Sequence, residues 1–158
     1  VARCQVPDLK VWLIGDGPDR PLIEAWIEEH HAQDWVTLSG RVSDDGLVQA
    51  YRSAWIVVSA SYAEGWGMSL TEGAACATPC VATDIAGHRG AAVDGVTGLL
   101  VANTADLGPA IADLLGQHDR RHAMARAATD HAAGLSWTAV ATRQLDVLCA
   151  EVASAAAR

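Results

Sequence analysis

Leu9 to Ile14 form an apolar run that stops at Gly15-Asp16-Gly17-Pro18, and Leu22, Ile23, Trp26 and Ile27 then recur at helical spacing as far as the polar segment around His30. The pattern predicts a strand, a tight turn and a helix. It repeats: Val36-Thr37-Leu38 ahead of Ser39-Gly40 reads as a second strand, and Ser43-Asp44-Asp45-Gly46 opens a helix whose inward face is Leu47, Ala50 and Tyr51. Trp55 to Ser59 is β-branched without polar alternation, so it is expected as a central strand with both faces covered. Met68 to Ala77 is rich in Ala and predicts a helix, which Pro79 breaks before a short strand from Cys80 to Thr83. Asp94 to Gly98 turns into a strand over Leu99 to Val101. Three helical segments near 105–116, 119–132 and 137–155 follow, so the chain is helical from about 104.

Strands alternating with helices imply right-handed crossovers and an α/β fold, a Rossmann-like doubly wound parallel sheet. Such sheets bind ligands at the carboxyl ends of their strands. The Gly15-Asp16-Gly17-Pro18 turn and the loop around Glu64 both follow strands, so both belong to that edge. The length, 158 residues, suits one domain over 1–158.

Charge removes one class of partner. The net charge is −8 and Lys10 is the single lysine, so nucleic acid, which needs clustered cations for its phosphates, is not expected. Cys4, Cys76, Cys80 and Cys149 are scattered and read as free thiols, which favours a reducing, cytoplasmic setting. No apolar run is long enough to span a bilayer. The start at Val1, without Met, reads as that of an excised piece.

The chemistry concentrates in Glu64-Gly65-Trp66-Gly67-Met68-Ser69-Leu70-Thr71-Glu72. A helix starting near Gly67 or Met68 points unpartnered N–H groups and the positive end of its dipole into the preceding loop, which makes a seat for a phosphate. Gly65 and Gly67 allow a ligand close to the main chain, and Trp66 is either core packing or a ligand wall. Glu64 in the loop and Glu72 about one turn into the helix can flank that seat without touching the phosphates, which they would repel. A carboxylate accepts two hydrogen bonds at the spacing of vicinal hydroxyls, so the pair fits a polyol on each side of a diphosphate, as in a nucleotide-diphospho-sugar. Taken alone, each glutamate is an ordinary solvated charge.

The run from Ala60 to Val101, with E-G-W-G-M, two glutamates eight positions apart, T-E-G-A-A-C-A-T-P-C-V-A-T-D and V-D-G-V-T-G-L-L-V, resembles the C-terminal domain of family 4 (group 1) retaining glycosyltransferases of GT-B fold. The likeness extends back through L-K-V-W-L-I-G-D-G-P and V-T-L-S-G-R-V. It implies that Glu64, with main-chain groups of Gly65, Trp66 and Gly67, contacts the donor sugar. Main-chain groups of Met68 and Ser69 would meet the diphosphate, Glu72 the ribose diol, and Arg41-Val42 the base. The implied activity is transfer of a sugar from a UDP-, GDP- or ADP-linked donor with retention at the anomeric carbon, without cofactor or metal ion. Its chemistry is leaving-group stabilisation and positioning.

Three departures bear on that expectation. The family places an Arg and a Lys against the diphosphate in a stretch that would precede Val1, together with a first strand; Arg3 and Lys10 are poor substitutes. The N-terminal domain that binds the acceptor is absent, so no complete catalytic set lies in this chain, and it is not expected to turn over alone. Ala77 stands where the family has Gly, and Ala86-Gly87-His88-Arg89-Gly90 replaces its G-G-x-x-E. Without the first strand an open sheet edge is expected to favour a homodimer. The apolar positions Trp137, Val140, Leu145 and Leu148 of the last helix should lack part of their cover. Membrane contact, if any, would be peripheral and made by the absent domain.

Other constellations are weaker. Gly15-Asp16-Gly17 lacks the third glycine of a dinucleotide fingerprint, Arg20 standing there, and is better read as a tight turn with Asp16 or Asp19 capping the helix. His118 and His122 have zinc-like spacing but no third ligand, and Asp119, Arg120 and Arg121 beside them read as a solvated face. His30-His31 closes a polar helix end. His88-Arg89 is either an exposed loop or a source of positive charge for a phosphate. Ser69 lacks the flanks of a nucleophile elbow. Two other functions remain open: a non-catalytic nucleotide-binding module, and a nucleotide-sugar epimerase of GT-B fold.

Overall fold

The computed structural model describes residues 2–156. After a short helix α1 (Ala2–Gln5), strands and helices alternate: β1 (Val11–Ile14), α2 (Arg20–Glu29), β2 (Val36–Gly40), α3 (Asp44–Ser53), β3 (Val57–Ser59), α4 (Met68–Ala75), β4 (Cys80–Thr83), α5 (Ala86–Ala91) and β5 (Gly98–Val101). Helices α6 (Thr104–Gly116), α7 (His118–Ala133) and α8 (Trp137–Ala156) complete the described chain. Every strand pairing is parallel. The predicted α/β alternation and the helical C-terminal third are therefore present, with strand ends shifted by one or two residues. The α5 segment is a different matter: Ala86–Ala91 is a six-residue helix that no periodicity announced.

The sheet lies in two pieces, β1-β2 and β3-β4-β5. The expectation of a central, doubly covered third strand is overturned. Among the described residues β3 pairs with β4 alone, Trp55 is 60% exposed before the strand begins and Val58 is 46% exposed within it. The central place in the three-stranded piece belongs to β4, all four of whose residues are buried. An apolar β-branched run reports a strand's tolerance for burial, while its neighbours are set by pairing.

Helices cover both faces of β3-β4-β5. On one face Leu70 of α4 packs with Cys80, Ala82, Ala91 and Ala92. On the other, Leu107 and Leu114 of α6 and Met124 of α7 pack on Val81. A third cluster, Ile27, Ala32 and Val36, joins α2 to β1-β2. Small residues permit the closest contacts: a Cβ on Gly73 would stand 2.6 Å from the Val57 side chain, so α4 can lie against β3 only with glycine there. All four cysteines are free, and burial pushes the Cys80 thiol up to about 12, which leaves it an inert core side chain.

Local chemistry departs from expectation at three points. Ser43 caps α3, its Oγ accepting from the Gly46 N–H at 3.2 Å, but Asp19, at the N-cap of α2, makes no side-chain cap bond, and Asp16 accepts instead from the Gly17 N–H at 3.1 Å. Arg121 is no part of a solvated face: it is 7% exposed, donates to the carbonyls of Leu114 (3.1 Å) and Leu115 (2.7 Å) at the end of α6, and lies over the Trp55 ring. Ala77 has φ of 61°, a left-handed conformation that costs an L-residue about 1–2 kcal/mol. This explains the preference for glycine at that position. Ala77→Gly should raise stability by about 0.5–1 kcal/mol, the relief being offset in part by glycine's larger unfolded-state entropy, and a denaturant midpoint would measure it.

Helix α8 carries Trp137 (89% exposed), Val140, Leu145 and Leu148 on its surface, as expected for the last helix, and Val152 beside them. No described helix is long and apolar enough to cross a membrane.

Candidate functional site

Because the strands are parallel, the segments after Ile14, Gly40, Ser59 and Thr83 emerge at one edge of their sheets. The segment after β3 contains Glu64 to Gly67 and leads into α4, whose N-cap is Gly67. No side chain caps this helix, so its first N–H groups are left to the loop. Gly67 N–H donates to the Gly87 carbonyl at 3.0 Å and Met68 N–H to the Trp66 carbonyl at 2.8 Å. The N–H groups of Gly65, Trp66 and Ser69 have no acceptor among the described residues. The helix start therefore presents the donors of an anion seat at Ser69 and in the loop, while that of Met68 is already engaged.

Both carboxylates are held by a side chain from another element. Glu72 lies on α4, and its Oε2 accepts from the Tyr51 hydroxyl of α3 at 2.9 Å. Burial, and then the bond to Glu72, push the Tyr51 phenol well above its ordinary range, so it remains a donor. The backbone of Tyr51 is fixed in turn, its carbonyl accepting from Thr78 Oγ1 at 2.7 Å. Glu64 meets the Nε2 of His88 on α5 through Oε1. No hydrogen bond engages Glu64 Oε2 or Glu72 Oε1 among the described residues, so each carboxylate keeps an oxygen free for a ligand hydroxyl.

Helix α5 is the platform under this loop. A Cβ on Gly87 would fall on the Glu64 carbonyl and stand 2.9 Å from its carbon, and one on Gly90 would stand 2.5 Å from the Trp66 ring. The Trp66 indole rests over Gly90, donates through Nε1 to Thr71 Oγ1 at 2.9 Å and stays 40% exposed. It packs on α5 with one side and keeps the other open. Gly65 differs from Gly67, Gly87 and Gly90: a Cβ there would meet nothing within 4 Å. Packing does not demand a glycine at 65.

The residues singled out in the sequence are brought together in part. Glu64, Gly65, Trp66, Gly67, Met68, Ser69 and Glu72 share one loop and helix start. Arg41 and Val42 are exposed at the end of β2, and no described hydrogen bond ties them to that loop. His88 and Arg89 correct the sequence reading. His88 is wholly buried, and Arg89 is bidentate to Asp84 at 2.6 and 3.0 Å, holding that carboxyl below its usual range, so neither is a free cation for a phosphate. Lys10 donates to the Asp34 carbonyl, and Arg3 lies over Trp35. Both places precede the strands, at the edge opposite the loops, which is why neither can stand in for a phosphate-binding cation. The rings of His118 and His122 are 4.2 Å apart, and no group of three or more metal-binding side chains occurs among the described residues.

Sequence reasoning placed Tyr51 only on the inward face of α3 and weighed His88 as a charge for a phosphate; it missed that they hold Glu72 and Glu64, and that Gly87 and Gly90 seat the loop. The signal at hand was the segment Ala86-Gly87-His88-Arg89-Gly90, which carries no hydrophobic period.

Known proteins share this fold. Residues 1–131 match the sequence profile of the family described as glycosyl transferases group 1. A D-inositol 3-phosphate glycosyltransferase of Nocardia farcinica is 40% identical over 137 residues, which are 84% of this chain and 30% of that protein. Sucrose-phosphate synthase from Thermosynechococcus elongatus superposes with a TM-score of 0.81 at 26% identity, over 97% of this chain and 41% of that one. The pneumococcal O-GlcNAc transferase GtfA, in complex with UDP and GlcNAc, gives 0.79 at 24% identity, over 92% of this chain and 30% of that one. The chain thus spans about a third of the length of the relatives it matches. With the fold of one part of a GT-B glycosyltransferase, and with the family profile matching from residue 1 to 131, this chain belongs to the group 1 glycosyl transferases.

Proposed function

We propose that the chain is the donor-binding domain of a retaining glycosyltransferase that uses a nucleotide-diphospho-sugar. One observation carries the reading: two carboxylates, each pinned at one oxygen and free at the other, flank a helix start with unpaired N–H groups. Glu72 takes the ribose diol and Glu64 the sugar hydroxyls, with main-chain groups of Gly65, Trp66 and Gly67 beside the sugar. The diphosphate sits on the main chain at Met68 and Ser69, where Ser69 supplies the free donor. The base lies on the Arg41-Val42 backbone. No cofactor or metal is needed in this scheme, because the helix start stabilises the charge of the departing diphosphate. UDP is the first nucleotide to test, since the GtfA structure contains it.

The acceptor would belong to an N-terminal domain of a longer protein, since the chain spans 30% of the Nocardia relative. We place the protein in the cytoplasm, its thiols free, with any membrane contact peripheral.

Calorimetric titration with UDP, GDP and ADP and with their glucose and mannose conjugates tests the donor site. Saturable binding of one nucleotide supports it; no binding to a folded sample overturns it. We also propose a homodimer through the open edges, since among the described residues β1 pairs only with β2 and β3 only with β4. The light-scattering mass should climb toward twice the monomer value as concentration rises, and a monomer mass throughout would end that idea.

A further inference from the structure

His88 does not fit the role of an ordinary core residue. Its side chain is fully buried, yet both ring nitrogens are engaged: Nδ1 lies 2.6 Å from the Thr83 carbonyl, and Nε2 touches Glu64 Oε1. The Thr83 hydroxyl donates to the Ser61 carbonyl at 2.6 Å. A closed circuit therefore runs from the loop at Ser61, through the end of β4, through the imidazole, and back to the loop at Glu64.

The protons of this circuit can be assigned. A carbonyl only accepts, so Nδ1 must donate to Thr83. In a neutral ring that leaves a lone pair on Nε2, facing a carboxylate oxygen, an arrangement of two acceptors. The contact requires one more proton. The ring lies between two acceptors, the Thr83 carbonyl and the Glu64 carboxylate, and so holds that proton on Nε2. A buried imidazolium needs a charged partner, and Glu64 is the one the structure places against it. Nearby charges have other partners: Arg89 is paired with Asp84, and His131 of α7 lies on the Gly90 carbonyl at 3.3 Å.

We infer that His88 is a positioning residue for the donor sugar: as an imidazolium it fixes the Glu64 carboxylate by Oε1, leaves Oε2 to the sugar hydroxyls, and offsets the negative charge beside the diphosphate seat. The inference rests on the donor-site reading above. It accounts for a carboxylate at an anion-binding loop, because the carboxylate is half of an ion pair whose other half is buried beneath it.

The test has two arms. In ¹⁵N-histidine-labelled protein, both ring nitrogens of His88 should resonate as protonated at neutral pH, and Glu64→Gln should return Nε2 to the unprotonated form. An unprotonated Nε2 in the parent protein overturns the inference. In the second arm UDP and UDP-glucose are titrated against the parent, Glu64→Gln, His88→Leu, His88→Gln and the Glu64→Gln/His88→Leu pair. Glu64→Gln and His88→Leu should each weaken UDP-glucose about tenfold while UDP is unchanged, the pair should be no worse than either alone, and His88→Gln, which keeps a donor, should recover part of the loss. Equal weakening of UDP and UDP-glucose by His88→Leu, or additive losses in the pair, would mean a purely structural histidine and overturn the inference. If Glu64→Gln leaves the preference for UDP-glucose over UDP untouched, the donor-site assignment itself fails. If Glu64→Gln acts and His88→Leu does not, only the role of His88 fails.

Discussion

Gly87→Ala is expected to disrupt donor binding more than any other single methyl added to this chain. The new Cβ would fall on the Glu64 carbonyl, with the carbonyl carbon at 2.9 Å and the Glu64 Cγ at 3.0 Å. Two of these atoms are main chain, so no rotamer relieves the overlap. The loop must move away from α5, and the Gly67 N–H to Gly87 carbonyl bond, which sets the start of α4, moves with it. Overpacking of this kind costs about 1–3 kcal/mol of stability. The larger effect is on the ligand: a displacement of about 1 Å in positioning groups can cost about 100-fold, and Glu64, Trp66 and the helix start would all be displaced together. Denaturant unfolding gives the first quantity, and titration with the nucleotide-sugar the second. Gly65→Ala is the contrasting case. Nothing lies within 4 Å of its added Cβ, so stability should change by less than about 0.5 kcal/mol, while the methyl protrudes where the donor would approach. Normal stability with weakened binding would assign Gly65 to the ligand; normal stability with normal binding would place the ligand elsewhere.

Glu72→Ala should weaken the nucleotide and its sugar conjugate alike, by about 10- to 100-fold, because the ribose is common to both and a hydrogen bond to a charged group is worth about 1.5–3 kcal/mol. Glu72 is exposed and bonded to Tyr51 at one oxygen only, so its loss should leave the fold nearly as stable as before. Glu64 would behave differently, acting on the conjugate alone. Selective loss at Glu64 and uniform loss at Glu72 would order the ligand along the loop, sugar toward β3 and ribose toward the body of α4. The reverse pattern would turn the donor around. Tyr51→Phe supplies a smaller, related effect: Glu72 would lose its tether and regain rotamer freedom, and nucleotide affinity should fall by a few-fold at most.

Much of the fold was readable as local pattern. The five strands, α2 to α4 and the three C-terminal helices announce themselves through apolar runs, helical spacing and the breaks at Gly15-Asp16-Gly17-Pro18 and Pro79. The motif from Glu64 to Glu72 was equally visible, because its residues are close in sequence and chemically unusual together. Even Ala77 was marked as out of place before its positive φ gave the reason.

The strand order and the support of the carboxylates belong to the tertiary structure. Nothing in the Trp55-to-Ser59 run says that β3 will have one neighbour instead of two, since a strand's composition records how apolar its faces are and not which strand hydrogen-bonds to its edge. Arg121 looked solvated in a polar stretch and is buried because α7 folds back onto the end of α6. His88 is the clearest case. It lies 24 positions from Glu64, in a helix too short to show a period, and the two meet because the parallel register pairs Ser59 with Ala82 and so brings the segments after β3 and β4 out side by side. Spacing within one element is a local property of the chain; contact between two loops is created only by the hydrogen-bonded register of the strands that carry them.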